Sequence, residues 1–401
     1  MPHELRKQFA KFLQYLAEAL DISETRYKQA EERYQAVGKW LGRDESILAP
    51  YHPEIYPQGS FRLGTVIKPI SDAEEYDIDL VCEIKLEKEK VRQKRLKEAV
   101  GQEILGYTQA NNMKSRPEEG RRCWTLHYAD GAQFHLDILP ALPDGNSFKL
   151  LLESKGFSND WSGLAIAITD NTLPNYDFLD PNWPQSNPRG YAEWFRERMK
   201  TQFEAQRKFL AESIQAKIED VPEYRVRTPL QRAIQILKRH RDIIFAKDQD
   251  NKPISIIIST LAAHAYRNEG NLVEALINIV HGMPLYIQKI GDVSWVANPV
   301  NPIENFADKW REHPQRERNF RLWLQQVQND LNKALLSKDI QAISELLKPS
   351  LGERVVNEAL QKFPKSHIAR SPIVLAGSAV SGRHEPPRVE IKNPSKPWSD
   401  A

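Results

Sequence analysis

Three aspartates carry the chemistry that this sequence can do. Asp77 and Asp79 stand in Tyr76-Asp77-Ile78-Asp79-Leu80-Val81, and Asp137 in Phe134-His135-Leu136-Asp137-Ile138-Leu139. Both stretches alternate as strands do, so Asp77 and Asp79 share one face while Tyr76, Ile78 and Leu80 take the other. Carboxylates on one face repel each other unless a cation lies between them, and hard oxygen ligands suit Mg²⁺. Three Asp on two neighbouring strands can hold two ions about 3.5–4 Å apart, the arrangement that serves in-line displacement at phosphorus. A solvated strand face is the plain alternative. The apolar setting of Ile78, Leu80, Val81 and Ile84 argues against it, because unpaired carboxylates on a largely buried strand are costly.

Upstream lies Gln58-Gly59-Ser60-Phe61-Arg62-Leu63-Gly64-Thr65. Gly59 lets the backbone approach a ligand closely. Ser60 and Thr65 add hydroxyls to the turn's N–H groups, and such donor clusters bind triphosphates. Arg62 reads equally as a phosphate contact or an exposed side chain. His135 shares the face of Asp137 and reads as a hydrogen-bonded structural residue rather than a metal ligand. Trp183, Tyr191 and Trp194 read as core packing before base stacking, and 186–190 is a candidate part of a base pocket.

The elements that must position these residues follow from periodicity. Residues 3–45 read as helical, with Phe9, Leu13, Leu16 and Leu20 at three- and four-residue steps. Residues 86–105, dense in Lys and Glu, read as an exposed helix. Residues 122–128 and 132–139 read as a strand pair joined at Ala129-Asp130-Gly131, and 148–152 as a further strand. Residues 169–190 form a long irregular segment, and helix resumes from Tyr191 to about Ile218. A second lobe opens at Thr228-Pro229, with a capping hydroxyl and Pro in the first turn. Further helices are expected at about 254–267, 271–289, 303–313, 316–337 and 339–348. The expected divisions are 1–50, 51–220, 221–363 and an extended or disordered tail, 364–401, rich in Pro and Ser.

Composition bounds the setting. The 401 residues carry a net charge of +2, which gives no push toward nucleic acid as the main partner. Two cysteines are too few for a disulfide framework, and the start of the chain is charged and amphipathic. The expectation is a cytoplasmic protein without membrane attachment.

Gln58-Gly59-Ser60, Asp77-Ile78-Asp79 and Asp137 together resemble the nucleotidyltransferase superfamily that shares the DNA polymerase β core. Leu237-Lys238-Arg239-His240 and Pro253-Ile254-Ser255 resemble the helical-lobe segments whose Lys and Ser hold a donor triphosphate. Residues 298–305, beginning Asn298-Pro299-Val300-Asn301-Pro302, are similar to a segment of oligoadenylate synthases, with Asn298 where Asp is common. The whole resembles the bacterial cyclic-oligonucleotide synthases, relatives of cyclic GMP-AMP synthase in anti-phage signalling. From its own surroundings, Lys238 reads as a solvated member of the basic run Lys238-Arg239-His240-Arg241, and Ser255 as a helix N-cap.

The resemblance implies an α+β fold, with a mixed sheet facing a helical lobe and the active site between them. It implies Mg²⁺ or Mn²⁺ held by Asp77, Asp79 and Asp137, with nucleotide bound by Gln58, Gly59, Ser60, Arg62, Lys238 and Ser255. The expected activity is synthesis of a cyclic di- or trinucleotide from NTPs, ATP or GTP among them. Transfer of AMP to an RNA, protein or small-molecule acceptor is the alternative, and a non-catalytic nucleotide sensor is another. A regulatory protein engaging the tail is the expected partner.

Overall fold

The computed structural model describes residues 1–71, 75–128, 134–213, 215 and 217–363. The expected turn at 129–131 and the tail from 364 lie outside the described residues.

Two long helices lead, α1 (His3–Leu20) and α2 (Glu24–Leu41), the second capped by the Ser23 hydroxyl. Strand β1 (Glu54–Pro57) runs into a short helical turn, α3 (Gly59–Arg62), and then β2 (Tyr76–Glu83). Helix α4 (Gln93–Ala110) follows, then β3 (Glu118–Glu119), β4 (Trp124–His127) and the long β5 (Phe134–Pro143). After α5 (Gly145–Ser154) come β6 (Ile166–Ile168) and β7 (Gln185–Ser186). The sheet runs β1-β2-β5-β4-β3, with β6 and β7 continuing from the second half of β5. Among the described residues only β2 and β5 are parallel partners in this sheet.

Alternation in β2 buries Tyr76, Ile78 and Leu80 and turns Asp77 and Asp79 to the other face. The buried side packs with Phe134, Leu136 and Ile138 of β5 against Leu96, Val100 and Ile104 of α4. Helix α4 is therefore less exposed than its composition suggests. Its Lys97 is fully buried and donates to the carbonyl of Arg121 at 2.9 Å. The expected strand at 148–152 is α5 instead. Phe148 and Leu152 stand four apart and form one small core with Ala165, a helical period and not an alternating one.

The second part is helical: α6 (Pro188–Ser213), α7 (Pro229–Ile244), α8 (Ser255–Ala265) and α9 (Leu272–Gly282). Two small hairpins follow, β8 (Gln288–Ile290) with β9 (Val293–Trp295), and β10 (Ala297–Asn298) with β11 (Asn301–Asn305). They overturn the end of the helix expected over 271–289 and the start of that over 303–313. Asn305 is the reason for the second. Its Oδ1 accepts from the Val296 and Ala307 N–H groups, and its Nδ2 donates to the Ser294 carbonyl, all near 3 Å. The chain closes with α10 (Lys309–Glu312), α11 (Pro314–Leu336), α12 (Ile340–Leu351) and α13 (Glu353–Gln361). Helix α7 is central here, and Leu230, Ala233, Ile234 and Leu237 are buried in one core with α1, α8, α9 and α12. No helix among the described residues is long and apolar enough to cross a membrane.

Candidate active site

Strand register brings the three aspartates together. Asp79 lies directly beside Asp137 across the parallel β2–β5 pair, and Asp77 lies beside His135. Thr125, opposite Asp137 on β4, donates its hydroxyl to Asp137 Oδ1 at 2.6 Å. His135 Nε2 stands 3.2 Å from Asp77 Oδ1 and 3.9 Å from Asp137 Oδ2. Burial first, then the charges of Asp137 and Asp77, pushes the Asp79 carboxyl up to about 6. A buried carboxylate with like charges beside it is stabilised in its ionised form by a cation. The donor set offers carboxylate oxygens, which suits a hard divalent ion such as Mg²⁺.

The turn closes onto this face. Gln58 N–H donates to the Asp79 carbonyl at 2.8 Å, and Thr65 N–H donates to the Ser60 carbonyl at 3.0 Å. Gly59 has a φ of +61°, and a Cβ there would lie 2.3 Å from Asp79 Oδ2. Only glycine lets the turn sit this close to the carboxylate.

A cleft of about 730 Å³ runs from these residues to the helical part. Gly59, Ser60, Asp77 and Asp79 line it from one side, and Lys238 and Ser255 from the other. Lys238 through Arg241 are all buried, which overturns their reading as a solvated run. Each has a partner that explains its burial. Lys238 Nζ donates to the Thr65 carbonyl at 3.1 Å and lies 3.2 Å from its hydroxyl. Arg239 donates to the Lys68 carbonyl. His240 sits between Asp330 and the Trp323 indole, and Arg241 holds the Pro253 carbonyl and the Ser255 hydroxyl. Burial, then the nearby charge of Arg241, lowers Lys238 to about 7. Ser255 is not the N-cap of α8. Ile254 holds that position, and the Ser255 Oγ accepts from Arg241 Nη1 at 2.8 Å.

Gln58 and Arg62 fall on a second pocket of about 240 Å³, which shares Gly59 and Asp79 with the cleft. Arg62 lies 3.7 Å from Glu193. Asn187 and Tyr191 line this pocket too, as do Asn298 and Glu304, which share a 2.7 Å hydrogen bond. Trp183 and Trp194 are buried, as core packing requires. Sequence reading missed Thr125, Arg241 and the second-lobe glutamines. Gln231 Nε2 donates to the Leu63 carbonyl at 3.0 Å and Gln235 Nε2 to that of Val66 at 2.9 Å. With Lys238, their spacing of four and three puts them on one face of α7, and Arg239 follows at the edge of that face. Helix α7 begins where the Thr228 hydroxyl and Pro229 signalled it, and the Gln231 side chain completes a capping box with Thr228.

A glycine turn closing on paired strand aspartates, opposite a buried lysine across a cleft, defines a nucleotidyltransferase. Comparison with known proteins agrees. Residues 53–140 match the family described as "Cyclic GMP-AMP synthase DncV-like, nucleotidyltransferase domain". A c-di-GMP synthase of Roseivirga ehrenbergii is 28% identical over 359 residues, 89% of this chain and 87% of that protein. The cyclic dinucleotide synthase CdnG of Bradyrhizobium diazoefficiens is 28% identical over 362 residues, 84% of this chain and 79% of that one. The solved structure of CdnG in complex with GTP has a TM-score of 0.66 at 25% identity, covering 88% of this chain and 98% of its own. The GTP-bound form of Vibrio cholerae DncV shares the fold, with a TM-score of 0.52 at 14% identity over 90% of this chain and 82% of its own. Residues 53–140 form a DncV-like nucleotidyltransferase domain, and the chain is a nucleotidyltransferase with the cyclic GMP-AMP synthase-like α+β fold.

Proposed function

We propose that the protein joins nucleoside triphosphates into a cyclic dinucleotide or trinucleotide. The observation that carries this reading is the register pairing Asp79 with Asp137, with the Gly59 turn closed over Asp79. The two relatives that are 28% identical over most of their length, named as cyclic dinucleotide synthases, support it.

In this reading Asp77, Asp79 and Asp137 hold Mg²⁺ or Mn²⁺. When bound, the metal supplies charge neutralisation at the phosphates and lowers the pKa of the attacking hydroxyl. The ribose oxygen of one nucleotide bonds to the α-phosphorus of another, the bond to the β-phosphate bridging oxygen breaks, and pyrophosphate leaves. Asp137 accepts the hydroxyl proton on its Oδ2, while Thr125 keeps Oδ1 engaged. Ser60 and the N–H groups of its turn orient the β- and γ-phosphates. Lys238 anchors Thr65 and, once a triphosphate enters the cleft, is held in its charged form. Ser255, fixed by Arg241, gives the far wall a hydroxyl donor. The second pocket, sharing Asp79 with the cleft, receives the nucleotide that carries the attacking hydroxyl, with Arg62 and Gln58 at its rim. GTP and ATP are the proposed substrates, and antiviral signalling is the setting that the family implies.

Incubating pure protein with the four NTPs and Mg²⁺ tests this. Pyrophosphate release without any added acceptor is expected. Release that requires an RNA, protein or small-molecule acceptor would assign the transfer elsewhere, and no release at all would mark a sensor.

A further inference from the structure

We propose that Glu75, His127 and His135 form a binding site for a borderline divalent transition metal of the zinc class, beside the aspartates and distinct from them. The same register that aligns Asp79 with Asp137 aligns a second row. Asp77 pairs with His135 across β2–β5, and His135 pairs with His127 across β5–β4. Glu75 immediately precedes β2 and reaches over this row. Its Oε2 stands 3.3 Å from His135 Nδ1 and 3.7 Å from His127 Nδ1. One ligand atom from each residue lies within 4.8 Å of the other two. Ligands about 2.1 Å from one tetrahedral ion stand about 3.4 Å from each other, so this cage needs little movement to close.

The outer edges of both rings face carboxylates. His135 Nε2 is 3.2 Å from Asp77 Oδ1, and His127 Nε2 is 3.7 Å from Glu118 Oε1. Each imidazole thus turns Nδ1 toward Glu75 and Nε2 toward a carboxylate. His135 Nδ1 and Glu75 share a hydrogen bond here, and an ion entering between them would leave the proton on the outer nitrogen, beside its carboxylate, which is how metal-binding histidines are oriented. Two imidazole lone pairs and a carboxylate then converge on one point. Imidazole ligands favour Zn²⁺, Co²⁺ or Ni²⁺ over Mg²⁺. Three protein ligands leave a position open for water.

The site couples to the aspartates through one bond. An ion on His135 Nδ1 commits Nε2–H to Asp77 Oδ1, which occupies a lone pair of that carboxylate. Zn²⁺ bound here therefore raises the Mg²⁺ concentration needed for half-maximal turnover. This consequence rests on the proposed role of Asp77, whereas the binding does not.

Co²⁺ added to the full chain in excess Mg²⁺, followed by its visible absorption, tests the binding. One equivalent should bind to the wild type and to Asp79→Asn. His127→Ala and Glu75→Gln should each weaken binding at least tenfold, and Asp77→Asn by about tenfold through the outer hydrogen bond. Equal Co²⁺ affinity in wild type and His127→Ala, or loss of the band in Asp79→Asn, would overturn the site. In the turnover assay, the Zn²⁺-induced shift in Mg²⁺ demand should vanish in His127→Ala while its zinc-free rate matches the wild type. A shift that persists would overturn the coupling. Failure of nucleotidyl transfer in every variant would leave the Co²⁺ titration decisive, so the two readings fail separately.

Discussion

Gly59 and Asp79 are in contact across the turn, and a single methyl group on Gly59 would penetrate to 2.3 Å from the Asp79 Oδ2. The turn proposed to meet the phosphates and the carboxylate proposed to meet the cation are thus set against each other by an absent side chain. Gly59→Ala should also strain a backbone at φ +61°, at a cost of about 1–2 kcal/mol. We expect a slightly lowered melting temperature and a turnover reduced about 100-fold, since misplacement by 1 Å is enough for that. Steady-state kinetics beside thermal melts would check both, and near-normal kcat would remove Gly59 from the account.

Asp79 makes stability depend on pH with a definite sign. Its folded pKa of about 6 lies above the ordinary carboxylate value, so the folded state binds the proton more readily. The contribution of Asp79 to the stability of the metal-free protein is full below about pH 4 and declines as pH rises to about 6, by about 1–3 kcal/mol, whereas carboxylates held low by their partners, such as Asp170, contribute in the opposite sense. Asp79→Asn should flatten this decline and abolish synthesis with the fold intact. Denaturant titrations in chelator at several pH values provide the measurement. Added Mg²⁺ should stabilise the wild type at neutral pH and leave Asp79→Asn unmoved.

Lys238→Met keeps the buried stem and removes the amine from Thr65. The Thr65 carbonyl loses a donor, and the cleft loses its charge toward a triphosphate. We expect KM for NTP to rise at least tenfold while the protein still folds. An unchanged KM would confine Lys238 to a structural role.

The three aspartates were legible because alternation on a strand needs only a few residues to declare itself. The Asp137 partner Thr125 was not, because Thr125, like His127 in the next row, comes alongside β5 only through strand pairing across the sheet. The buried basic run was misread for a related reason. Lys238 and Arg239 look like a solvated surface until the segment 63–68 lies against α7 and presents its carbonyls to them. Gln231 and Gln235 complete that set, tying the turn that follows Ser60 to the helical part. The helix at 145–154 was hidden by an apolar run too short to separate the two periods. The hairpin at 297–305 depends on Asn305, whose side chain replaces three backbone partners.

Phe363 marks where truncation should be harmless. Its ring packs against Phe12 and Tyr15 of α1, and so secures α13. Removing residues 364–401 should leave turnover of the purified protein within about twofold, because the aspartate pairing and the lining of the cleft are built from residues before 364. Loss of regulation in cells would then assign the tail to a protein partner. Loss of turnover in the folded truncate would place the tail in the catalytic body.

The most direct measurement is mass spectrometry of the phosphatase-treated product made from the four NTPs and Mg²⁺ by the wild type and Asp79→Asn. A phosphatase-resistant cyclic dinucleotide or trinucleotide is expected from the wild type and none from the variant. A linear or acceptor-linked product from the wild type, or the same cyclic product from Asp79→Asn, would contradict the proposed function.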